Sequence, residues 1–230
     1  MKNLVLVGDI HGQFREMIWR AMYKYNLENT DIIVLGDFGA MDKSWKSDYF
    51  RLQKKLDKKQ LHIWVLRGNH DNPEFFTGDV NFPYLTLMKD GETYEISGVS
   101  CLVLGGACST DIVWRQEYNK KNPKKQKIWW EGEDIIRFPI KNLSGKVDLI
   151  LSHEAPLSFD PVSVRFPETP SWQYQKILDS RKYLDEILKN ITCSYWFYGH
   201  YHKHITGSFG NVLYKGLAEL DFYDFRKNKN

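Results

Sequence analysis

Cysteine is scarce in this chain, which has three cysteines among its 230 residues. Cys101, Cys108 and Cys193 are an odd number, and no two of them form a Cys-x-x-Cys pair. This spacing argues against a disulfide framework and against a structural zinc site built from cysteine pairs. We therefore expect reduced thiols in a cytoplasmic protein.

Long apolar runs and an excess of one charge are also lacking. The apolar run after Lys2, Leu4 to Val7, stops at Gly8 and is far shorter than a signal-peptide core or a membrane span. The 32 Lys and Arg nearly balance the 29 Asp and Glu, for a net charge of +3. Charge alone therefore predicts neither a nucleic-acid partner nor a membrane partner.

Two common catalytic motifs are absent from the sequence. It has no Gly-x-Ser-x-Gly nucleophile elbow and no Gly-x-x-x-x-Gly-Lys-Ser/Thr phosphate loop, so neither of these nucleophile or nucleotide systems is supported. We also find no internal repeat and no low-complexity linker. A chain of this length fits one domain, and we predict a single domain over residues 1–230.

Five apolar, strand-like runs each end in a residue that can bind a metal ion. A glycine or serine stands before the ligand in every case, and the ligands are Asp9 and His11, Asp37, Asn69, His153, and His200 and His202. The carboxyl ends of strands in an open α/β sheet form one ligand-binding edge, so these side chains are predicted to converge. Taken singly, each has a plainer explanation as a turn residue, a helix cap or a hydrogen-bonded structural histidine.

The spacing of the other apolar residues predicts helices around these strands. A stripe from Phe14 to Tyr25 predicts one amphipathic helix, and Ser44 to Lys59 predicts a second. Short runs at Tyr84 to Met88, Thr93 to Ile96 and Val99 to Leu104, separated by Asp90-Gly91 and Ser97-Gly98, predict hairpins in a second, more antiparallel sheet. The expected fold class is α/β.

The predicted ligands combine carboxylate, amide and imidazole groups without a thiolate. This mixture suits Mn²⁺, Fe²⁺ or Zn²⁺ better than Ca²⁺. Seven ligands are too many for one tetrahedral metal, and they suit two metal ions that share a bridging carboxylate. We therefore expect two divalent ions as cofactors, with Mn²⁺ favoured.

Taken together, the motifs resemble those of the calcineurin-like metallophosphoesterases. The segments that carry the resemblance are Gly8-Asp9-Ile10-His11-Gly12, Gly36-Asp37, Gly68-Asn69-His70-Asp71, Ser152-His153-Glu154-Ala155-Pro156 and Gly199-His200-Tyr201-His202. The resemblance implies a β-sandwich of two mixed sheets flanked by helices, in four αββα layers. It also implies that Asp9, His11 and His202 hold one metal, that Asn69, His153 and His200 hold the other, and that Asp37 bridges them.

The resemblance further implies hydrolysis of phosphate monoesters or diesters by a hydroxide that bridges the two metals. His70 would face the phosphoryl group without binding metal, either as a general acid or as a stabiliser of the transition state. Arg67 matches a position that binds phosphate in some members of the family, and a structural arginine is about equally expected there.

One departure from the family pattern concerns the partner of His70. The protein-phosphatase branch continues its second motif as Gly-Asp-x-Val-Asp-Arg-Gly, whereas this chain reads Gly36-Asp37-Phe38-Gly39-Ala40-Met41-Asp42. Ala40 and Met41 replace the acid that would orient His70 and the phosphate-binding arginine. Asp42 could substitute for the missing acid. This departure makes a phosphoprotein phosphatase less expected.

Residues 109–138 resemble neither a sheet nor an obvious long helix. They hold three tryptophans, at 114, 129 and 130, and lysines at 120, 121, 124, 125 and 127. One interpretation is a loop beside the site that contacts an anionic substrate by charge and stacking. The plainer one is a surface insertion whose tryptophans pack on the protein body, and we favour it.

The sequence leaves three functions open. The leading prediction is a metal-dependent phosphoesterase acting on a small molecule, a nucleotide or a phosphoprotein. The alternative enzyme is a nuclease or a cyclic-nucleotide or dinucleotide phosphodiesterase, so nucleic acid remains a possible partner. The third function is a non-catalytic scaffold of the same fold, which the intact set of seven ligands and His70 argues against.

Overall fold

Two sheets form the centre of the molecule, which is described here from a computed structural model. The structure describes residues 2–41, 45–79, 81–143, 145–159 and 170–227. The strands of the first sheet are β1 (Asn3–Val7), β2 (Thr30–Val34), β3 (Leu61–Val65), β4 (Asn81–Phe82), β5 (Leu85–Leu87) and β12 (Phe222–Asp224). Their order is β12-β1-β2-β3-β5-β4, and the neighbours from β1 to β5 are parallel. The two edge strands are antiparallel to their neighbours.

The second sheet has the same mixed character. Its strands are β6 (Thr93–Ile96), β7 (Val99–Leu104), β8 (Leu149–Ser152), β9 (Tyr195–Tyr198), β10 (Ile205–Phe209) and β11 (Val212–Gly216). Their order is β10-β11-β9-β8-β7-β6, with parallel pairs in the middle and an antiparallel pair at each edge. β6 and β7 form the hairpin predicted at Ser97-Gly98, where both residues have positive φ, 53° and 74°, as this tight turn requires.

Four α-helices flank the sheets in the described residues. They are α1 (Phe14–Trp19), α2 (Trp45–Lys59), α3 (Ile112–Lys121) and α4 (Ser171–Asn190). α1 continues into a π-helical stretch, Arg20–Lys24, so the predicted first helix is confirmed. α2 confirms the second, although its predicted first residue, Ser44, lies outside the described residues. None of the described helices is long and apolar enough to cross a membrane.

Successive side chains along the strands point to opposite faces of the sheets and create three buried layers. In β1, Leu4 and Leu6 point into a core between the two sheets, whereas Val5 and Val7 point toward α1 and α2. Both faces of the strand are covered, which explains why it reads as a continuous apolar run. α4 covers the outer face of the second sheet, where Leu184 is fully buried. The predicted four-layer αββα architecture is confirmed.

One detail of the predicted topology is wrong. β5 pairs in parallel with β3 in the first sheet, so the run from Tyr84 to Met88 does not belong to the second sheet. Residues 109–138, which resemble no obvious long helix in sequence, contain the ten-residue helix α3. Only Ile112 and Arg115 of α3 are buried, and the helix therefore lacks the apolar stripe that periodicity detects.

Candidate metal centre

The seven predicted ligands lie where strands of both sheets end. Asp9 and His11 follow β1, Asp37 follows β2 and Asn69 follows β3; His153 follows β8, and His200 and His202 follow β9. Ligand atoms of five of them fall into close groups, as the predicted convergence at the sheet edge requires, and these five are Asp9, His11, Asp37, His153 and His202. His70 shares one of the groups with His11 and Asp37. Two tetrahedral donors that each lie about 2.1 Å from a metal ion stand about 3 to 4 Å apart.

Asp9, His11 and His202 form the first group. His202 Nε2 lies 3.0 Å from Asp9 Oδ2 and 2.9 Å from His11 Nε2. His11 Nε2 lies 3.9 Å from the same carboxylate oxygen. The hydrogen bond to Asp9 raises the pKa of His202. These three donors can hold one divalent ion.

Asn69 and His153 form the second group with Asp37. His153 Nε2 lies 2.9 Å from Asn69 Oδ1 and 3.4 Å from Asp37 Oδ1. Its Nδ1 donates to Leu35 O at 2.7 Å, so Nε2 is the ring nitrogen that would bind a metal ion. Burial alone would lower the pKa of His153, but the charges of Asp37 and Asp9 raise it to about 10.

Asp37 stands between the two groups. Its Oδ1 faces His153 at 3.4 Å, and its Oδ2 lies 3.9 Å from His11 Nδ1. The residue is 1% exposed. Burial opposes ionisation of this carboxyl, but the neighbouring histidines, His153 foremost, lower its pKa. A carboxylate that lies between a histidine of each donor group fits a bridge between two ions.

His200 joins the site mainly through the backbone. Its N–H donates to both carboxylate oxygens of Asp9, at 3.0 and 3.1 Å. Its imidazole Nε2 lies 3.9 Å from Oε2 of the buried Glu154, and this oxygen has no hydrogen-bond partner in the described part of the chain. Burial lowers the pKa of His200. The sequence motif contains Glu154, but its spacing does not predict the position of this carboxylate beside His200.

Strained backbone accompanies the predicted ligands. His11, Asp37, His200 and His202 all have positive φ, at 43°, 47°, 67° and 50°. This left-handed conformation costs a non-glycine residue of order 1–3 kcal/mol and persists where the surroundings demand it, often at functional sites. The turns after β1, β2 and β9 therefore hold these side chains in place at a cost in stability.

The glycine before a ligand allows the strand ends to approach each other. A Cβ on Gly36 would fall on the imidazole ring of His153, and one on Gly199 would fall on the Asp9 carboxylate. Gly36 also has φ +92°. The recurrence of glycine before the ligands thus has a steric cause, in that no side chain fits between the convergent turns.

Asp71 ties together the turns after β2 and β3. Its Oδ1 accepts from Gly39 N and Ala40 N, both at 2.8 Å, and its Oδ2 accepts from Phe38 N at 3.1 Å and Gly68 N at 2.9 Å. Burial and the charge of Asp37 raise the pKa of Asp71 to about 6, against the effect of these N–H groups. The sequence motif contained Asp71, but its spacing gave no role for it.

His70 lies at the edge of the centre, with a third of its side chain exposed. Its Nε2 lies 3.9 Å from Asp37 Oδ2, and its Nδ1 lies 3.0 Å from Arg115 Nη2. Burial is the main cause that lowers its pKa, to about 4. Arg115, from α3, is a site residue that sequence analysis missed. The predicted substitute partner, Asp42, lies outside the described residues.

The contacts of Arg67 favour the structural role that the sequence left open for it. The guanidinium is 1% exposed and its Nη2 pairs with Asp90 Oδ2 at 2.8 Å. The same group donates to the carbonyl oxygens of Gly105, Gly132, Glu133 and Asp134. Since all the guanidinium nitrogens have protein partners, none is directed at a phosphate in this structure.

Comparison with known proteins adds family-level evidence. The family model of calcineurin-like phosphoesterases matches residues 2–204. The structure of phosphopantetheinyl hydrolase from Mycobacterium tuberculosis is similar in fold, with 12% identity, a TM-score of 0.50, and coverage of 100% of this chain and 93% of that one. A putative 5'-nucleotidase from Staphylococcus aureus aligns at 13% identity and a TM-score of 0.42, over 94% of this chain and 48% of that one.

The family match covers the strands and turns that carry all seven predicted ligands, from Asp9 to His202. The donor set in the structure contains groups of carboxylates and imidazoles able to hold metal ions. Phosphate-ester hydrolysis is one of the reactions that centres of two metal ions catalyse. The chain therefore belongs to the calcineurin-like phosphoesterases, a family of phosphate-ester hydrolases.

Proposed function

We propose that this protein hydrolyses phosphate monoesters or diesters with two divalent metal ions. Asp9, His11 and His202 would hold one ion, and Asn69, His153 and His200 the other, with Asp37 shared. The observation that carries the proposal is the position of Asp37, which lies between His153 of the second donor group and His11 of the first. Mn²⁺ suits the mixed donors, and Fe or Zn²⁺ are alternatives.

Each part of the site has a task in this reaction. The two ions, when bound, would neutralise the phosphoryl oxygens and lower the pKa of the attacking water. Asp71 holds the turns after β2 and β3, which carry Asp37 and Asn69. His70, whose Nε2 faces Asp37, is placed to contact a phosphoryl oxygen.

Two further expectations accompany this proposal. The three cysteines are free and buried, which supports the expectation of a reducing compartment such as the cytoplasm. The proposed site takes residues from both sheets, between Asp9 and His202, which supports a single domain.

Metal removal tests the proposal directly. Chelation should abolish hydrolysis of p-nitrophenyl phosphate, and Mn²⁺ should restore it. Asp37→Asn should lower both kcat and the number of Mn²⁺ ions bound, because the change weakens both donor groups. The matched control is Asp79→Asn, an exposed carboxylate whose removal should change neither quantity. Full activity of metal-free protein would contradict the mechanism, and a protein that turns over no ester in a broad panel would instead be a scaffold.

A second candidate, a nucleotide phosphodiesterase, is favoured by one cavity. The cavity of about 640 Å³ is lined by Asn72, two residues after His70, and by Gln116, next to Arg115. The volume falls in the usual range for small-molecule sites. Neither His70 nor a predicted ligand lines the cavity, and these two sequence neighbours are the basis for proposing that it holds the organic part of an ester.

The walls of this cavity suit a heteroaromatic ring. Trp129 and Trp130 line it together with Lys120 and Lys127, and aromatic faces stack on nucleobases. Asn119 fixes one wall, since its Nδ2 donates to Trp129 O at 2.8 Å. Two glutamates, at 74 and 131, also line the cavity and offset the lysine charges, which favours a small nucleotide ester over a nucleic-acid strand.

The lysines of the segment provide a matched comparison. Lys120 and Lys127 line the cavity, whereas Lys124 and Lys125 do not contribute to its lining. Replacing the first pair by Ala should raise KM for the p-nitrophenyl ester of thymidine 5'-monophosphate by roughly 2- to 5-fold, the size of exposed charge contacts. Replacing the second pair should not. Bis-p-nitrophenyl phosphate, a diester without a base, should respond to neither change.

The tryptophans test stacking separately from charge. Trp129→Ala should raise KM for the thymidine ester by roughly 10-fold or more, since base stacking is worth about 1–3 kcal/mol. Trp114, which is 62% exposed and does not line the cavity, supplies the control. Equal effects of the two tryptophan changes would exclude a nucleobase from the cavity and leave the substrate class to the wider ester panel.

A further inference from the structure

His70 has two ring nitrogens with different surroundings. Nε2 faces the metal centre, 3.9 Å from Asp37 Oδ2, and Nδ1 lies 3.0 Å from Arg115 Nη2. An arginine can only donate hydrogen bonds, so Nδ1 must accept with its lone pair. The ring hydrogen is then carried by Nε2.

We propose that Arg115 is a positioning residue that fixes His70 as the neutral Nε2–H tautomer. In this form Nε2 has no lone pair for a metal ion, so His70 stays outside the metal shell although its side chain lies within reach of Asp37 and His11. The N–H is instead presented to a phosphoryl oxygen of the substrate. The inference rests on the proposed function and adds the interaction that keeps His70 from acting as a metal ligand.

His153 shows the opposite arrangement. Its Nδ1 lies 2.7 Å from Leu35 O, a group that can only accept. Nδ1 must therefore carry a hydrogen, and Nε2, which lies 2.9 Å from Asn69 Oδ1 and 3.4 Å from Asp37 Oδ1, is the nitrogen that faces the donors of the proposed metal site. A metal-binding histidine usually donates its second N–H to an acceptor of this kind. The donor at Nδ1 of His70 and the acceptor at Nδ1 of His153 thus give the two histidines different roles, the first outside the metal shell and the second as a ligand.

Arg115 is held rigidly for this task. Its Nη1 donates to Ser109 Oγ at 2.5 Å and lies 3.4 Å from Glu133 Oε2. Arg115, Ser109 and Glu133 are each 1% exposed. A buried guanidinium paired with a buried carboxylate has few alternative positions, because moving either group would leave a charge unpaired.

Ser109 links this cluster to a predicted metal ligand. Its Oγ donates to Glu133 Oε2 at 2.9 Å and accepts from Arg115 Nη1 and from Asn69 Nδ2, the latter at 2.8 Å. One donor and two acceptor positions are the full capacity of a hydroxyl group. The bond from Nδ2 turns Asn69 Oδ1 toward His153. One cluster therefore orients both an amide ligand and the histidine beside it.

The arrangement has a chemical consequence for the reaction. A neutral ring held by a donor at Nδ1 would have to become an imidazolate to give up its Nε2 proton, so general acid catalysis is disfavoured. A hydrogen bond to the charge that develops on the phosphoryl group is favoured. His70→Asn should then lower kcat by a similar factor for an alkyl phosphate and for p-nitrophenyl phosphate.

The first test is spectroscopic and uses metal-free protein. In protein with ¹⁵N-labelled histidine, long-range ¹H–¹⁵N correlations distinguish an Nε2–H ring from an Nδ1–H ring. His70→Asn assigns the signal. We expect Nε2–H in the wild type and a mixture of tautomers in Arg115→Ala. An Nδ1–H ring or an imidazolium at neutral pH in the wild type would overturn the proposal.

The second test is a double-mutant cycle. Arg115→Ala should lower kcat by roughly 10²–10³, the usual loss of one oriented donor, with KM for p-nitrophenyl phosphate nearly unchanged. Combination with His70→Asn should add almost nothing, because both changes remove the same hydrogen bond. Arg181, a buried arginine of α4 that donates to Ala155 O, is the control, and Arg181→Ala should combine with His70→Asn multiplicatively.

Several outcomes would decide against a positioning role. A higher KM with unchanged kcat would mean that Arg115 binds the substrate itself, and a multiplicative cycle would mean that it does not act through His70. If Arg115→Ala does not fold, Arg115→Lys keeps a donor and should retain the Nε2–H ring. A protein that hydrolyses no ester would refute the proposed function, and the spectrum would still decide the tautomer.

Discussion

Asp71→Asn is the change for which the structure gives the clearest magnitude. The carboxylate accepts four backbone hydrogen bonds, two at each oxygen, from Phe38, Gly39, Ala40 and Gly68. An asparagine has one carbonyl oxygen and one amide group. Whichever way the amide is turned, two backbone N–H groups lose their acceptor and face N–H donors instead.

The expected loss follows from this count. A hydrogen bond to a charged group contributes about 1.5–3 kcal/mol, so the loss of two predicts about 3–6 kcal/mol of unfolding free energy. The whole domain has roughly 5–15 kcal/mol. Asp71→Asn should therefore bring the protein close to the threshold of folding. Because the same bonds hold the turns that carry Asp37 and Asn69, Mn²⁺ affinity should also fall.

Urea unfolding followed by tryptophan fluorescence would measure this loss. The measurement belongs at pH 8, above the pKa of about 6 to which burial raises Asp71. Asp79→Asn, at an exposed aspartate, should change the unfolding free energy by less than about 0.5 kcal/mol. A loss below about 1 kcal/mol for Asp71→Asn would refute the assignment of Asp71 as the link between the two turns.

Three further predictions concern the surroundings of the centre. Gly36→Ala should weaken Mn²⁺ binding, because the new Cβ would displace the His153 ring. Gly132→Ala, at a similar φ of +86° with open space around it, should lower only stability. Equal Mn²⁺ affinity in both variants would contradict the predicted collision with His153. Burial raises the pKa of Glu133 to about 7, so its contribution to stability should be full below about pH 4.5 and lost as pH rises through 7. Glu133→Gln should remove this dependence of the unfolding free energy on pH between pH 5 and 8. An unchanged dependence would be evidence against a raised pKa of Glu133. Burial raises the pKa of all three cysteines, to about 12 for Cys108 and about 11 for Cys193, so a thiol reagent should label them only after denaturation, and rapid labelling of native protein would contradict their burial.

The convergence of the ligands could be predicted because it depends on local signals. Each ligand follows an apolar run and a small residue, and parallel strands bring such ends together without any knowledge of side-chain contacts. Asp37 illustrates this, since β2 and Gly36 alone locate it at the end of its strand. The position of Asp37 between His153 and His11 could be found only from the structure.

Arg115 could not be predicted for an equally physical reason. It is one of two buried residues in a helix whose other positions are polar or exposed, so no periodicity marks it. Its partner His70 is 45 residues away in the sequence. Only the packing of α3 beside the turn after β3 brings a guanidinium to the imidazole, and spacing along the chain carries no trace of that packing.

Arg67 shows how a residue can affect the site without touching substrate. It follows β3 directly, and its guanidinium donates to Glu133 O at 2.8 Å. The side chain of Glu133 in turn accepts from Ser109 and Arg115, and Arg115 contacts His70. Two buried arginines thus hold the segment after β7 against the turn that carries Asn69 and His70. The series of contacts from Arg67 to His70 passes through one acidic residue, Glu133. Replacing Glu133 should therefore disturb the orientation of His70, even though these two side chains are not in contact.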